Sequence, residues 1–239
     1  PEAKVLAFVQ AETSTGALSD AQALAKLAQQ HGVLTLVDTV TSLAGSPLKM
    51  DEWGIDAVYS GTQKCLSCPP GLSPVSFSQR AMNKLQSRKT PVRSWFMDFT
   101  LVTSYWGGGA KRSYHHTAPV NALYGLHEAL TMVQEEGVEA SWARHATLHQ
   151  ELAKGLEELG LSYLVPEAER LPQLNSVILP DGVDEAALRS RLLKEFDLEV
   201  GAGLGEFAGK IWRIGLMGQS CTPRHVEHCL KAIGTVLKG

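Results

Sequence analysis

The amino-acid sequence predicts an α/β fold: a mainly parallel sheet followed by a smaller α+β unit. Two observations carry the first part. Apolar runs at residues 4–10, 33–38 and 55–60 read as buried strands. The segments between them have crossover length, as parallel neighbours require. The third observation is a change of pattern after Gly137, where helical stretches alternate with short strands to the end of the chain.

The elements follow in order. Residues 4–10 are the first strand, and Ser19 or Asp20 caps an alanine-rich amphipathic helix that runs to Gln30 and stops before Gly32. Residues 33–38 form a buried parallel-type strand. A loop with Gly45 and Pro47 leads to a helical turn at Met50-Asp51-Glu52-Trp53, and residues 55–60 are the next strand. Residues 74–78 suggest another strand, and a short helix starts at Gln79. Residues 90–118 read as irregular, rich in aromatics and with Gly107-Gly108-Gly109. Pro119 then opens a helix to Glu136, with Leu123, Leu126, Leu130 and Val133 on one face. Gly137 marks the expected boundary between a first domain, residues 1–136, and a second, residues 137–239. In the second, helices are expected at 139–159, 184–196 and 223–237, and strands near 162–165, 174–179, 198–201 and 210–216.

Bulk properties exclude several function classes. Apolar residues make up 44% and charged residues 20% of the 239, so the chain can bury an ordinary core. A net charge of −3 with no basic stripe argues against a nucleic-acid partner. No apolar run approaches the ~20 residues that span a bilayer, so no membrane partner is expected. Four cysteines make no disulfide framework in a chain of this length, which favours a reducing compartment. An intracellular, cytoplasmic setting is the expectation, with peroxisome and mitochondrion left open; the end, Val236-Leu237-Lys238-Gly239, is not a peroxisomal tripeptide. Pro1 is not an initiator, and the chain reads as starting inside a domain.

The chemistry gathers at strand ends. Lys64 follows the run Ile55-Asp56-Ala57-Val58-Tyr59 through the small polar turn Ser60-Gly61-Thr62-Gln63, and Asp38 ends the apolar run before it. In open α/β sheets ligands bind beyond the carboxyl ends of the strands. A lysine after a strand is most often a solvated charge, and an aspartate there often caps a turn. Together at one sheet edge they suit pyridoxal phosphate, whose aldehyde needs an amine and whose ring nitrogen needs an acid partner. Thr13, in Glu12-Thr13-Ser14-Thr15-Gly16, supplies a hydroxyl at the first strand's end, though an ordinary turn would use the same residues. Most arginines on a strand face are solvated, but Arg213, between Trp212 and Ile214, is expected to point at something specific, such as a substrate carboxylate.

Five segments then carry a resemblance: Glu12-Thr13-Ser14-Thr15-Gly16, Val37-Asp38-Thr39-Val40, Ser60-Gly61-Thr62-Gln63-Lys64, Tyr114-His115-His116-Thr117 and Arg213-Ile214-Gly215. In this order the chain resembles the class V aminotransferases over its whole length, and within them the alanine–glyoxylate and serine–pyruvate branch. The resemblance implies part of the large domain of a fold-type-I pyridoxal phosphate enzyme, followed by its complete small domain. It implies transamination of a small amino acid, alanine or serine, with glyoxylate or pyruvate as the 2-oxo acid. Lys64 would be the Schiff-base lysine and proton shuttle, and Asp38 the partner of the ring nitrogen. Thr13 would reach the phenolic oxygen, Gln63 the phosphate, and Val40 one ring face. Arg213 would hold the substrate carboxylate. Tyr114 and Thr117 would cross a homodimer interface to the other subunit's cofactor. The family also carries an earlier phosphate-binding loop and a ring-stacking aromatic, absent from these residues, so this piece alone is expected to be inactive.

Other patterns are weaker. Gly201-Ala202-Gly203-Leu204-Gly205 imitates a dinucleotide fingerprint but precedes a strand rather than a helix, and reads instead as a flexible loop near Arg213. His145 and His149, like His225 and His228, lie one helical turn apart, but solvated helix faces are expected and no metal. A cysteine desulfurase would need a mobile loop cysteine, for which Cys221 is the candidate. A scaffold fragment with an inert lysine is the reading from outside enzymology.

Overall fold

The structure, a computed structural model, describes residues 3–106 and 113–238. Pro1, Gly239 and the Gly107-Gly108-Gly109 run lie outside them. The first sheet has four strands in the order β1 (Val5–Val9), β4 (Leu34–Asp38), β5 (Ala57–Tyr59) and β6 (Val75–Phe77). β4 runs parallel to both β1 and β5, and β6 closes the sheet antiparallel. The predicted parallel sheet is therefore present. A small hairpin, β2 (Ala11–Glu12) with β3 (Ala17–Leu18), follows β1. The expectation of a buried first strand does not hold throughout: β1 lies at the sheet edge, with Val5 and Ala7 exposed.

Local signals explain the helices. α1 (Ala21–Gln30) starts where the Asp20 carboxylate accepts from the Ala23 N–H, and its buried side is Ala21, Ala25 and Ala28. α2 (Met50–Trp53) ends at Gly54 in the left-handed conformation. α3 (Gln79–Gln86) is capped by Ser78. The segment expected to be irregular contains a helix, α4 (Phe99–Trp106). Its β-branched and aromatic residues disguise it, and Asp98 starts it by accepting from the Thr100 N–H. α5 (Val120–Glu136) begins after Pro119 as expected, but its apolar stripe is only partly covered. Leu126 and Val133 pack near Cys65 and Leu66, while Leu123 and Leu130 are exposed.

Beyond Gly137, α6 (Val138–Glu158), α7 (Glu185–Phe196) and α8 (Pro223–Leu237) pack on a second sheet. That sheet is antiparallel, in the order β7 (Ser162–Tyr163), β8 (Leu174–Ile178), β10 (Ile211–Gly215), β9 (Gly201–Ala202). Its core centres on Trp212, Val177, Leu152, Leu156, Leu192 and Ile233. The Trp212 indole N–H donates to the buried Glu185 carboxylate at 3.1 Å. Among the described residues no helix is long and apolar enough to cross a membrane.

One buried carboxylate ties the first sheet together at the end opposite the lysine. Asp56 accepts from the Thr35 N–H at 2.9 Å and the Ser78 hydroxyl at 2.9 Å, and forms a two-point pair with Arg80. Burial raises its pKa, but these donors and the Arg80 charge outweigh burial, and it sits below the ordinary value. Asp56→Ala should cost about 2–3 kcal/mol of stability, the lower end for a broken buried pair because Arg80 is partly solvated. Since the folded value is depressed, the wild-type advantage is complete above about pH 4 and fades as pH falls further. Urea unfolding of both proteins from about pH 7 to pH 3 checks this; an equal acid slope in both overturns it.

Candidate active site

The register of the parallel strands decides where chemistry can occur. Val9 pairs with Asp38, and Asp38 with Tyr59, so one row at the carboxyl edge crosses three strands. Just past it, Thr39 donates its N–H and its hydroxyl to the Tyr59 carbonyl, both at 2.9 Å. The Ser60 hydroxyl returns a bond to the Thr39 carbonyl at 3.0 Å. The two strand ends are thereby laced together, and the turn carrying Lys64 starts from them.

Asp38 is half-buried and held at both oxygens. The Val40 N–H donates to Oδ1 at 2.8 Å, and the Tyr59 hydroxyl donates to Oδ2 at 2.7 Å. The same bond raises the Tyr59 pKa, so its hydroxyl keeps its proton. Lys64 is half-buried in a tight turn in which its carbonyl accepts from the Ser67 N–H at 2.9 Å. Among the described residues no carboxylate lies within ion-pair distance of Lys64 or Arg213. Gln63 is exposed beside Lys64, and Val40 is half-buried beside Asp38.

Arg213 and Thr13 meet across 200 residues of sequence. Arg213 Nη1 donates to the Thr13 carbonyl at 3.0 Å, and Nε donates to the Ala202 carbonyl at 2.8 Å. Thr13 itself sits in the turn of the β2–β3 hairpin, one element beyond the strand end expected for it. The Gly201 segment pairs with Arg213 in the second sheet and continues into a single helical turn at Gly205–Phe207, so no dinucleotide-type helix follows. Tyr114 and Thr117 are exposed and bonded to each other at 2.6 Å. Among the described residues no hydrogen bond joins them to Asp38, Lys64 or Arg213. An apolar concavity of about 920 Å³, lined by Phe96, Met97, Val102, Tyr105, His116 and Leu123, lies on their side. Its described lining holds no carboxylate and no lysine, whereas the strand edge carries both Asp38 and Lys64, which makes that edge the candidate site.

The second sheet unit also grips the lysine turn. Gly218, at φ +53°, packs so closely on the Cys65 carbonyl and Ser67 that a side chain would collide. The Gln219 N–H donates to Ser67 Oγ at 2.9 Å. The Gly218 N–H donates to His145 Nε2 at 2.9 Å, while His145 Nδ1–H donates to the Ser141 carbonyl at 2.7 Å. Arg144 pairs with Glu136 and donates to the Gly218 and Cys221 carbonyls. His145 and His149 are thus buried structural groups, contrary to the solvated face expected; His149 bonds Asn175 at 2.7 Å. Helical spacing alone did not reveal this, because the groups that bury them arrive from elsewhere in the chain. Tyr59 was missed too, and the strand register is the signal that finds it.

Residues 1–209 match the family model described as aminotransferase class-V. The chain belongs to that family. It is 40% identical over 236 residues to the alanine–glyoxylate aminotransferase of Felis catus, covering 98% of this chain and 57% of that protein. It is 34% identical over 252 residues to the (S)-ureidoglycine–glyoxylate transaminase of Bacillus subtilis, covering 98% of this chain and 60% of that protein. A crystal structure of alanine–glyoxylate aminotransferase from Nostoc sp. superposes with a TM-score of 0.93 at 48% identity, over 98% of this chain and 62% of that one. The chain therefore spans less than two thirds of the length of these relatives. The architecture is that of fold-type-I aminotransferases, and the family's cofactor is pyridoxal phosphate.

The residues present fit that cofactor. Asp38, a carboxylate held by two donors, ends β4, Lys64 follows the end of the neighbouring strand β5, and Arg213 bonds the turn that follows β1; among the described residues neither Lys64 nor Arg213 has a carboxylate within ion-pair distance. Burial holds both His145 and His149 below the ordinary imidazole value. The unfolded chain then binds protons that the fold rejects, so stability should fall as pH drops below about 6.5. Thermal midpoints measured between about pH 7.5 and pH 5.5 should decline, and less steeply in His149→Gln. A flat wild-type profile overturns this.

Proposed function

We propose that the intact protein transaminates a small amino acid, alanine or serine, with glyoxylate or pyruvate as the 2-oxo acid. The observation that carries this is Arg213: a half-buried guanidinium, held by the Ala202 carbonyl in β9 and the Thr13 carbonyl in the β2–β3 turn, with no carboxylate within ion-pair distance among the described residues. Such a group is suited to a carboxylate ligand in a two-point fork. The relatives' names favour glyoxylate as one oxo acid.

Asp38 would hold the cofactor at its ring nitrogen, Thr13 at its phenolic oxygen, Val40 at one ring face and Gln63 at its phosphate. Bound there, pyridoxal phosphate supplies an aldehyde carbon for amine exchange and a protonated ring that withdraws electrons. Lys64 Nζ would be the amine that holds the cofactor and the base that moves the proton of the substrate α-carbon. Arg213 orients the substrate so that this proton faces Lys64. We also propose the division into a cofactor-binding domain, residues 1–136, and a smaller domain, residues 137–239. The exposed Trp95, Phe96, Trp106, Tyr114 and Tyr124 support a homodimer in which Tyr114 and Thr117 reach the other subunit's cofactor.

Borohydride treatment of the cofactor-loaded protein, followed by peptide mass analysis, should fix the cofactor on Lys64. A fully loaded protein with Lys64 unmodified sinks the assignment. Arg213→Ala should lower kcat/KM for alanine by roughly 30- to 1000-fold, the cost of losing one partner of a desolvated charge pair. Arg213→Lys should recover only part of this. Unchanged kcat/KM in Arg213→Ala would remove the clamp from the mechanism.

A further inference from the structure

Asp38 and Tyr59 are register partners on neighbouring parallel strands, so their side chains leave the same face of the sheet. Tyr59 is partly exposed, and its ring could have turned to solvent. Instead its hydroxyl meets Asp38 Oδ2 at 2.7 Å. The Tyr59 backbone is pinned as well, since its carbonyl takes both the N–H and the hydroxyl of Thr39. With the Val40 N–H on Oδ1, the carboxylate has one donor on each oxygen. Two donors fix its plane, and each oxygen keeps a free lone pair for a third.

We propose that Tyr59 is a positioning residue: it holds the plane of Asp38 so that a free lone pair of the carboxylate meets the cofactor's ring N–H. The inference rests on the reading of Asp38 as the partner of the ring nitrogen. Val40 alone leaves the carboxylate free to swing about its Cβ–Cγ bond, because a single donor on one oxygen allows rotation around that contact. Tyr59 removes this freedom. It touches neither the reacting carbon nor Lys64 by any hydrogen bond among the described residues, so its influence passes through Asp38. The hydroxyl also keeps the carboxylate hydrogen-bonded before the cofactor arrives, so the site is formed in advance.

The test is a double-mutant cycle on the full-length protein, read as the dissociation constant for pyridoxal phosphate. Tyr59→Phe keeps the ring and removes only the hydroxyl. It should weaken cofactor binding about tenfold, the scale of one hydrogen bond to a charged group. Asp38→Ala should weaken binding further. Adding Tyr59→Phe to Asp38→Ala should then change the dissociation constant by less than about twofold, because the hydroxyl has lost the group it acts through. Thermal midpoints of all four proteins report folding, and Asp38→Asn replaces Asp38→Ala if the latter does not fold; there the Tyr59→Phe effect should shrink well below its wild-type size.

Two results overturn the proposal while leaving Asp38's role intact. One is unchanged affinity in Tyr59→Phe. The other is an equal loss on both backgrounds, which would mean that Tyr59 supports the fold rather than the carboxylate. Unchanged affinity in the Asp38 variants overturns the parent reading, and the proposal with it.

Discussion

The register of three parallel strands is the constraint on which the site depends. Because Val9, Asp38 and Tyr59 share one row, the chain leaves β4 and β5 side by side at the same edge. A slip of one residue would turn Asp38 to the other face and separate it from the turn bearing Lys64. Two features resist that slip. At the far end, Asp56 bonds the Thr35 N–H across β4 and β5 and pairs with Arg80 behind β6. At the near end, Thr39, Tyr59 and Ser60 exchange hydrogen bonds. A buried ion pair is weak evidence of stability in itself, but here it specifies which residues face each other.

The second sheet unit completes the edge from outside. Its contributions are polar and long-range: Arg213 to Thr13, Gln219 to Ser67, Ser141 to Ala44 and Gln173 to Ser46. The last two satisfy groups that would otherwise be buried without a partner, while the first two lie nearer the surface. Arg213 and the support of the lysine turn both come from β10 and the turn just after it. A shift of this unit would therefore move Arg213 and the Lys64 turn together. That arrangement keeps Arg213 and the Lys64 turn in a fixed relation, as the proposed roles of the two residues require.

Local patterns were legible in the sequence where their causes are local. The apolar run into Asp38 and the cap read at Ser19 or Asp20, which the structure assigns to Asp20, come from interactions within a few residues. α4 was not legible, because its β-branched and aromatic content contradicts helix propensity and Asp98 starts it through a turn. The burial of His145, and of Asp56 inside an apolar run, was invisible for another reason. Their partners, Gly218 and Arg80, lie 73 and 24 residues away, and only the tertiary fold brings them together. Lys64 and Asp38 were readable as residues past the ends of two buried strands, and the structure makes those strands parallel neighbours, beyond whose carboxyl ends ligands bind in open sheets. Tyr59 required the register itself.

The chain also contains a second class of nucleophile, and its environment removes it from competition. Cys65 adjoins Lys64, and Cys221 lies in the turn expected to suit a mobile sulfur carrier. Both thiols are buried, and burial first of all pushes their pKa values up, to about 12 for Cys65 and about 11 for Cys221. At pH 7 a thiol of pKa about 11 is ionised only about once in ten thousand molecules, and the thiolate is the reactive form. Arg144 nearby lowers the Cys221 value but does not offset the loss of water, and Arg144 is already engaged by Glu136 and two backbone carbonyls. A sulfur carrier must leave its site to deliver its cargo, whereas Cys221 is fully enclosed. Lys64 is half-buried in its turn and, among the described residues, has no carboxylate within ion-pair distance. The fold that silences the sulfurs thus leaves this amine free of an ion pair, as the role proposed for it requires.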